Sequence, residues 1–191
     1  MTTKLEIINN ALNCLGEPPI DSLETQNAGL QGIIQAYDML LDNALCNRPW
    51  AFALKTAELT PDPAVPSPLP YYEYSYHTPA DMLWAYMTYP LSTTYIIQGK
   101  HIFSNQSTPW KLVYIWAVSE DYFPKYFSLY LSYRLAANNA LMLTEDPNKV
   151  QIWEQAAKEQ LAKARYLDDA QQPSRIIQSN PLWETHHYAA F

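Results

Sequence analysis

Residues 30–60 read LQGIIQAYDMLLDNALCNRPWAFALKTAELT. Leu30, Ile33, Ile34, Tyr37, Leu40, Leu41, Ala44 and Leu45 recur every three or four residues, the apolar stripe of an amphipathic helix. Pro49 ends that helix, because proline lacks the amide hydrogen and its ring clashes with the preceding turn. Beyond Trp50 the period shortens, and apolar Phe52, Leu54 and Leu59 partly alternate with polar Lys55 and Glu58. The chain passes from helical to extended structure within a few residues, which predicts an α+β fold.

Upstream, Ile7, Ile8, Ala11, Leu12 and Leu15 share one face of a helix over 4–15; Gly16 stops it and Pro18-Pro19 forbid continuation. The long helix spans about 27–45. Downstream, Pro61, Pro63, Pro66, Pro68 and Pro70 make an irregular stretch that cannot be a central strand. Tyr71–His77, Met82–Tyr89, Thr93–Gln98, His101–Ser104 and Leu112–Ala117 read as short strands, with a turn at Thr78–Asp81 and a hairpin at Gln98-Gly99-Lys100-His101.

Helical spacing returns after Phe123-Pro124, with Pro in the first turn. The helix to about Leu143 carries Phe127, Tyr130, Leu131, Leu135, Ala137, Leu141 and Met142; apolar on most sides, it should be the most buried. Asp146 caps a last helix that has Pro147 at its first position and an inner face of Val150, Trp153, Ala156, Ala157, Leu161, Ala164 and Leu167. Glu154–Lys158 and Glu159–Lys163 are spaced as ion pairs on its outer side, and it stops near Gln172-Pro173.

The predicted architecture is a four-helix bundle, two N-terminal and two C-terminal helices, with an inserted antiparallel β region. Its parts are residues 1–50, 51–119, 120–173 and a C-terminal arm at 174–191. Ile8, Leu12, Ile34, Leu41, Tyr130, Leu131, Trp153 and Leu161 are its expected core.

The 191 residues carry a net charge of -7, with only 16% charged and 14% aromatic residues. A phosphate-gripping surface wants the opposite sign, while few charges and many aromatics suit protein interfaces. The negative excess lies in the first two thirds: residues 1–48 hold only the bases Lys4 and Arg48. Two cysteines exclude a disulfide scaffold, and Cys14 and Cys46 read as buried reduced thiols. The N-terminus has no signal pattern, and no apolar run approaches the ~20 residues a membrane span needs. The reading is a chain made in a reducing cytoplasm.

Catalytic patterns are missing. His77, His101, His186 and His187 have no ligand spacing, no nucleophile elbow occurs, and four glycines leave no phosphate loop. The carboxylate pairs Glu120-Asp121, Glu145-Asp146 and Asp168-Asp169 stand at helix starts or ends; for the first two, acids at a helix start complement its dipole. Neither a cofactor, a metal nor an enzymatic activity is expected. The string Tyr71, Tyr72, Tyr74 and Tyr76 reads either as a stacking platform or as a sheet face pressed on a neighbour.

Several local patterns occur together: Ile7–Glu24 with its Leu15-Gly16-Glu17-Pro18-Pro19-Ile20 loop, Tyr37 followed by Arg48-Pro49-Trp50-Ala51-Phe52-Ala53, Tyr76–Leu83, the strand pair around Gln98-Gly99-Lys100, and the aromatic helix at 123–143. In this order they resemble the tail tubular protein A family of short-tailed phages, the head-to-tail adaptors, over about residues 4–170. The Pro61–Pro70 stretch and the segment after Pro173 lie outside the resemblance. It implies a virion structural protein: a connector of twelve copies in an oligomeric ring between the portal protein and the tail tube or nozzle protein. DNA passes through the lumen during ejection without specific binding.

Two sets of residues follow as expectations. Asp38, Asp42 and Glu58 are candidate channel-lining acids, which would repel phosphate and let DNA slide. Ile176, Ile177, Leu182, Trp183, Tyr188 and Phe191 make the last segment too apolar for a plain linker, so they are candidate contacts to the portal or a neighbouring subunit. The alternative is a small monomeric binding domain that uses the tyrosine-rich β surface for a carbohydrate or protein ligand.

Overall fold

The computed structural model describes residues 2–24 and 27–171. Its order is α1 (Lys4–Leu15), α2 (Ala28–Cys46), β1 (Leu54–Leu59), β2 (Tyr74–His77), β3 (Met82–Tyr89), β4 (Tyr95–Gln98), β5 (His101–Ser104), β6 (Trp110–Trp116), α3 (Lys125–Thr144) and α4 (Pro147–Asp169). The fold is α+β: four helices and two three-stranded antiparallel sheets.

Local chemistry sets the helix ends. Thr3 accepts the Glu6 amide while the Glu6 carboxylate accepts the Thr3 amide, a capping box, and Gly16 closes α1 at φ 82°. Asp146 caps α4 through the Asn148 amide at 2.9 Å. Pro124 sits one position earlier than expected, as the extended N-cap of α3 rather than in its first turn.

α3 is the hub. It packs against α1, α2 and α4 and buries Phe127, Tyr130, Leu131, Leu135 and Ala136. Its buried Ser132 and Asn139 donate to the carbonyls of Ser128 and Leu135, so their polar groups stay satisfied. The helical core gathers buried residues of all four helices with Trp50, Ala53, Ile115, Val118 and Phe123. Trp50 meets Phe127 edge to face at 5.1 Å, Phe52 lies tilted to the same ring at 4.9 Å, and the Trp50 indole N–H donates to the Ala44 carbonyl. The turn that breaks α2 thus seats its aromatics against α3.

The β part is not one sheet. The strand orders are β1-β6-β3 and β2-β5-β4, and the two sheets share a core of Leu59, Tyr76, Ile102, Trp110, Leu112 and Tyr114. β6 turns Trp110, Leu112 and Tyr114 to that core and Ile115 to the helical core. Burial on both faces explains its nearly unbroken apolar sequence. Gly99, at φ 57°, makes the tight β4–β5 hairpin possible.

Some expected core positions are shallower. Ile8, Leu12, Tyr130 and Leu131 are buried, whereas Ile34, Leu41, Trp153 and Leu161 are half-buried against the core. Leu141, Met142 and Leu167 are exposed. Cys14 is half-buried and Cys46, the last residue of α2, is exposed just past the inner stripe. Both thiols are held above their ordinary value, chiefly by burial. Glu159 accepts a hydrogen bond from Gln155 at 2.9 Å, and the expected Glu154–Lys158 and Glu159–Lys163 ion pairs are not formed.

Candidate functional site

The three candidate channel acids lie on two parts of the fold. Asp38 and Asp42 are exposed one turn apart on α2. Asp38 accepts from Lys4 Nζ at 2.7 Å, and that ammonium also lies 4.8 Å from the centre of the Tyr37 ring. Asp42 keeps its charge open to solvent. Glu58 is exposed on the edge strand β1, directly opposite Lys111 of β6. The six apolar residues of the C-terminal segment, and His186 and His187, lie outside the described residues.

Large apolar side chains are exposed on both parts. On the helices they are Met39, Leu129, Leu141, Met142, Ile152, Tyr166 and Leu167, with Tyr166 74% and Met39 66% exposed. On the strands they are Trp84, Tyr86, Tyr89, Ile96 and Ile97, with Tyr71 and Leu91 in the connections beside them and the Trp84 and Tyr86 rings 6.2 Å apart. A cleft of about 560 Å³ separates β3 from the β4–β5 hairpin, lined by His77, Leu83, Trp84, Ile97 and Lys100 among others.

The tyrosine string divides. Tyr71 is exposed, Tyr72 and Tyr74 are half-buried, and Tyr76 is a core residue whose hydroxyl donates to the Gln106 carbonyl. It does not form a continuous stacking platform. His77 pairs with Asp62 at 2.7 Å, and its ring lies 5.0 Å from that of His101 across β2 and β5. The Ala64 amide and then His77 hold the Asp62 carboxyl below its ordinary value. This pair fastens the proline-rich stretch to β2, where Asp62 also donates its amide to the Ser75 carbonyl.

Of the carboxylate pair Asp168-Asp169, the first member is not a surface acid. Asp168 is fully buried. It accepts the Ala51 amide on both carboxylate oxygens, at 3.0 and 3.2 Å, and the Tyr126 hydroxyl at 2.9 Å. Arg48 lies 3.8 Å away, also pairs with Asp169, and covers the Trp50 ring at 5.1 Å. Burial and then the Asp168 carboxylate push the Tyr126 phenol well above its ordinary value. The signal was in the spacing: Asp168 extends the inner row Ala157, Leu161, Ala164 by one turn. This clasp ties the end of α4 to the turn after α2.

Among the described residues, no group of three or more His, Cys, Asp or Glu side chains is placed to hold a metal ion, and no helix is long and apolar enough to cross a membrane. No known family model matches the chain, and no curated protein matches it.

Proposed function

We propose that the chain is a structural virion protein, the ring-forming head-to-tail adaptor of a short-tailed phage. In this reading the two helical pairs work as one four-helix body under the portal protein, and the sheets point to the tail tube or nozzle protein. DNA passes through the lumen of a ring of twelve copies. Residues 174–191 reach to the portal or a neighbouring subunit.

One observation carries the reading beyond the sequence resemblance. Large apolar side chains stand exposed on the helices and, separately, on the sheets. Scattered apolar side chains are ordinary, but their occurrence on both the helices and the sheets suits contacts made at two different surfaces. A ring needs that arrangement: its interface is heterologous, one surface of each copy meeting another surface of the next. A further layer of partners above and below uses more apolar area. The acidic surface of α2 supports a lumen that does not hold phosphate.

Mixing the purified chain with the portal protein of the same phage tests this. The expected product is a closed ring on the portal, seen by electron microscopy. A chain that stays monomeric and unattached in that mixture refutes the reading.

The second reading, a monomeric binding domain, is favoured by the cleft beside Trp84 rather than by the tyrosine string. Its mark would be a monomer whose Trp84 fluorescence changes on adding a glycan.

A further inference from the structure

α2 and α4 both pack on α3 and leave a groove between them. The groove has a volume of about 200 Å³, and Asn43, Asn47, Arg134, Lys158 and Leu161 line it beside the buried Tyr130. Arg134 is half-buried there, and among the described residues neither Arg134 nor Lys158 makes an ion pair. Glu154 also lines the groove, which leaves two cations to one carboxylate. A half-buried guanidinium without a counter-ion is a place where an incoming carboxylate gains most, because arginine offers a rigid fork of donors and water is already partly excluded.

The α1–α2 link carries the complement. Asn9 clasps Ile20 from both sides, its amide nitrogen donating to the Ile20 carbonyl at 2.9 Å and its oxygen accepting the Ile20 amide at 2.8 Å. Past this clasp the chain presents Asp21, Leu23 and Glu24, all exposed. Two acids flanking an apolar side chain match two cations beside Leu161. The link leads into the start of α2, and the groove lies toward its other end: about 22 Å of helix separates Ala28 from Asn43. One copy therefore carries knob and groove at separate places, as a head-to-tail contact requires.

We infer that the acidic knob Asp21–Leu23–Glu24 of one copy docks in the Arg134–Lys158 groove of a second copy. The inference rests on the ring reading and names the contact that builds it.

Charge reversal on each side tests it in the full chain, with sedimentation velocity as the readout. Asp21→Lys with Glu24→Lys, at exposed positions, should weaken self-association at least about tenfold. Lys158→Glu with Arg134→Glu should do the same, and Arg134→Gln provides a milder change at the half-buried site. Combining both reversals in one chain should restore association, and added salt should weaken the wild-type contact. Either reversed variant associating like the wild type overturns the inference, as does a folded four-site variant that stays dissociated. So does a wild-type chain that is monomeric up to its solubility limit. If copies assemble but ignore these reversals, the ring reading survives and this contact does not. If the reversals act as stated on an open chain or dimer, the contact survives and the closed ring does not.

Discussion

Replacing Asp168 probes how α4 is joined to the rest of the molecule. Its carboxylate is fully buried and takes the Ala51 amide at 3.0 and 3.2 Å and the Tyr126 hydroxyl at 2.9 Å, with Arg48 at 3.8 Å. Asp168→Ala deletes the acceptor and strands a backbone amide, a phenol and part of a guanidinium. A stranded buried donor costs roughly 1–3 kcal/mol, and breaking one side of a buried ion pair costs roughly 3–5 kcal/mol. These losses overlap, and Arg48 retains Asp169, so the expected cost is about 3–5 kcal/mol in all. Asp168→Asn keeps one carbonyl acceptor and should cost about 2–3 kcal/mol. Asp169→Ala is the control: its side chain is 63% exposed. That exposed partner should contribute under about 1 kcal/mol. Urea unfolding followed by tryptophan fluorescence reads the difference, since Trp50 lies under Arg48 in the same junction. If Asp168→Ala costs no more than Asp169→Ala at an unchanged urea slope, the clasp does not hold α4.

Leu131→Ala, at a fully buried position of α3, should lose about 2–5 kcal/mol, whereas half-buried Leu41→Ala should lose less than about 2 kcal/mol; equal losses in urea unfolding would place Leu41 in the sealed core. Lys55, and then the Tyr114 hydroxyl, hold the Asp81 carboxyl below its ordinary value of 3.8. The folded state favours the ionised form, so this stabilisation is present above that value and fades as pH falls below it; Asp81→Asn should flatten the acid limb of the stability curve. Tyr114 is pushed up to about 12 by burial and then by Asp81. Its contribution is intact below pH 10 and is lost as pH rises toward 12, which phenolate absorbance of wild type against Tyr114→Phe would register. Removing residues 174–191 should leave the melting temperature nearly unchanged but weaken attachment to the portal; a large drop in melting temperature with normal attachment would make the segment part of the chain's own core. Reversing Asp38 and Asp42 to Lys should make assembled rings retain DNA in a salt-dependent way, and unchanged retention at low salt would remove α2 from the lumen.

What the sequence disclosed was local. The stop at Gly16 and the cap at Asp146-Pro147 each involve neighbours within a turn, so the residues alone place the end of α1 and the start of α4; the box at Thr3 and Glu6 is equally local but was not among the expected caps. The hairpin at Gly99 is legible for the same reason. The split into two sheets is not local. It depends on β6 pairing with β1 and β3, which lie 61 residues away along the chain at Leu54↔Ile115 and 34 at Met82↔Trp116. Nothing in the strand sequences states which partner each edge prefers. Stripe width was misleading too. A stripe shows which side of a helix turns inward, not how many neighbours receive it. With α2 and α4 both resting on α3, the margins of their stripes at Leu41 and Leu161 are half-covered.

The candidate site was legible as a charge imbalance and hidden as geometry. Residues 1–48 contain only two cations, and both are engaged inside the fold: Lys4 with Asp38, and Arg48 with Asp168 and Asp169. Lys149, which comes close to the end of α1, donates to the Leu15 carbonyl rather than to an acid. Asp21, Glu24 and Asp42 are therefore left on the surface of residues 1–48 with no cation of that stretch to meet them. Their charge must be met by solvent ions or by another molecule. The acids also occupy different places, since Asp42 lies on the body of α2 and Asp21 and Glu24 on the link ahead of it. A surface that repels DNA must stay unpaired, and a surface that holds a neighbour must find its cation. In the proposed ring, the acidic stretch of residues 1–48 serves both purposes because α2 separates the two groups along its length.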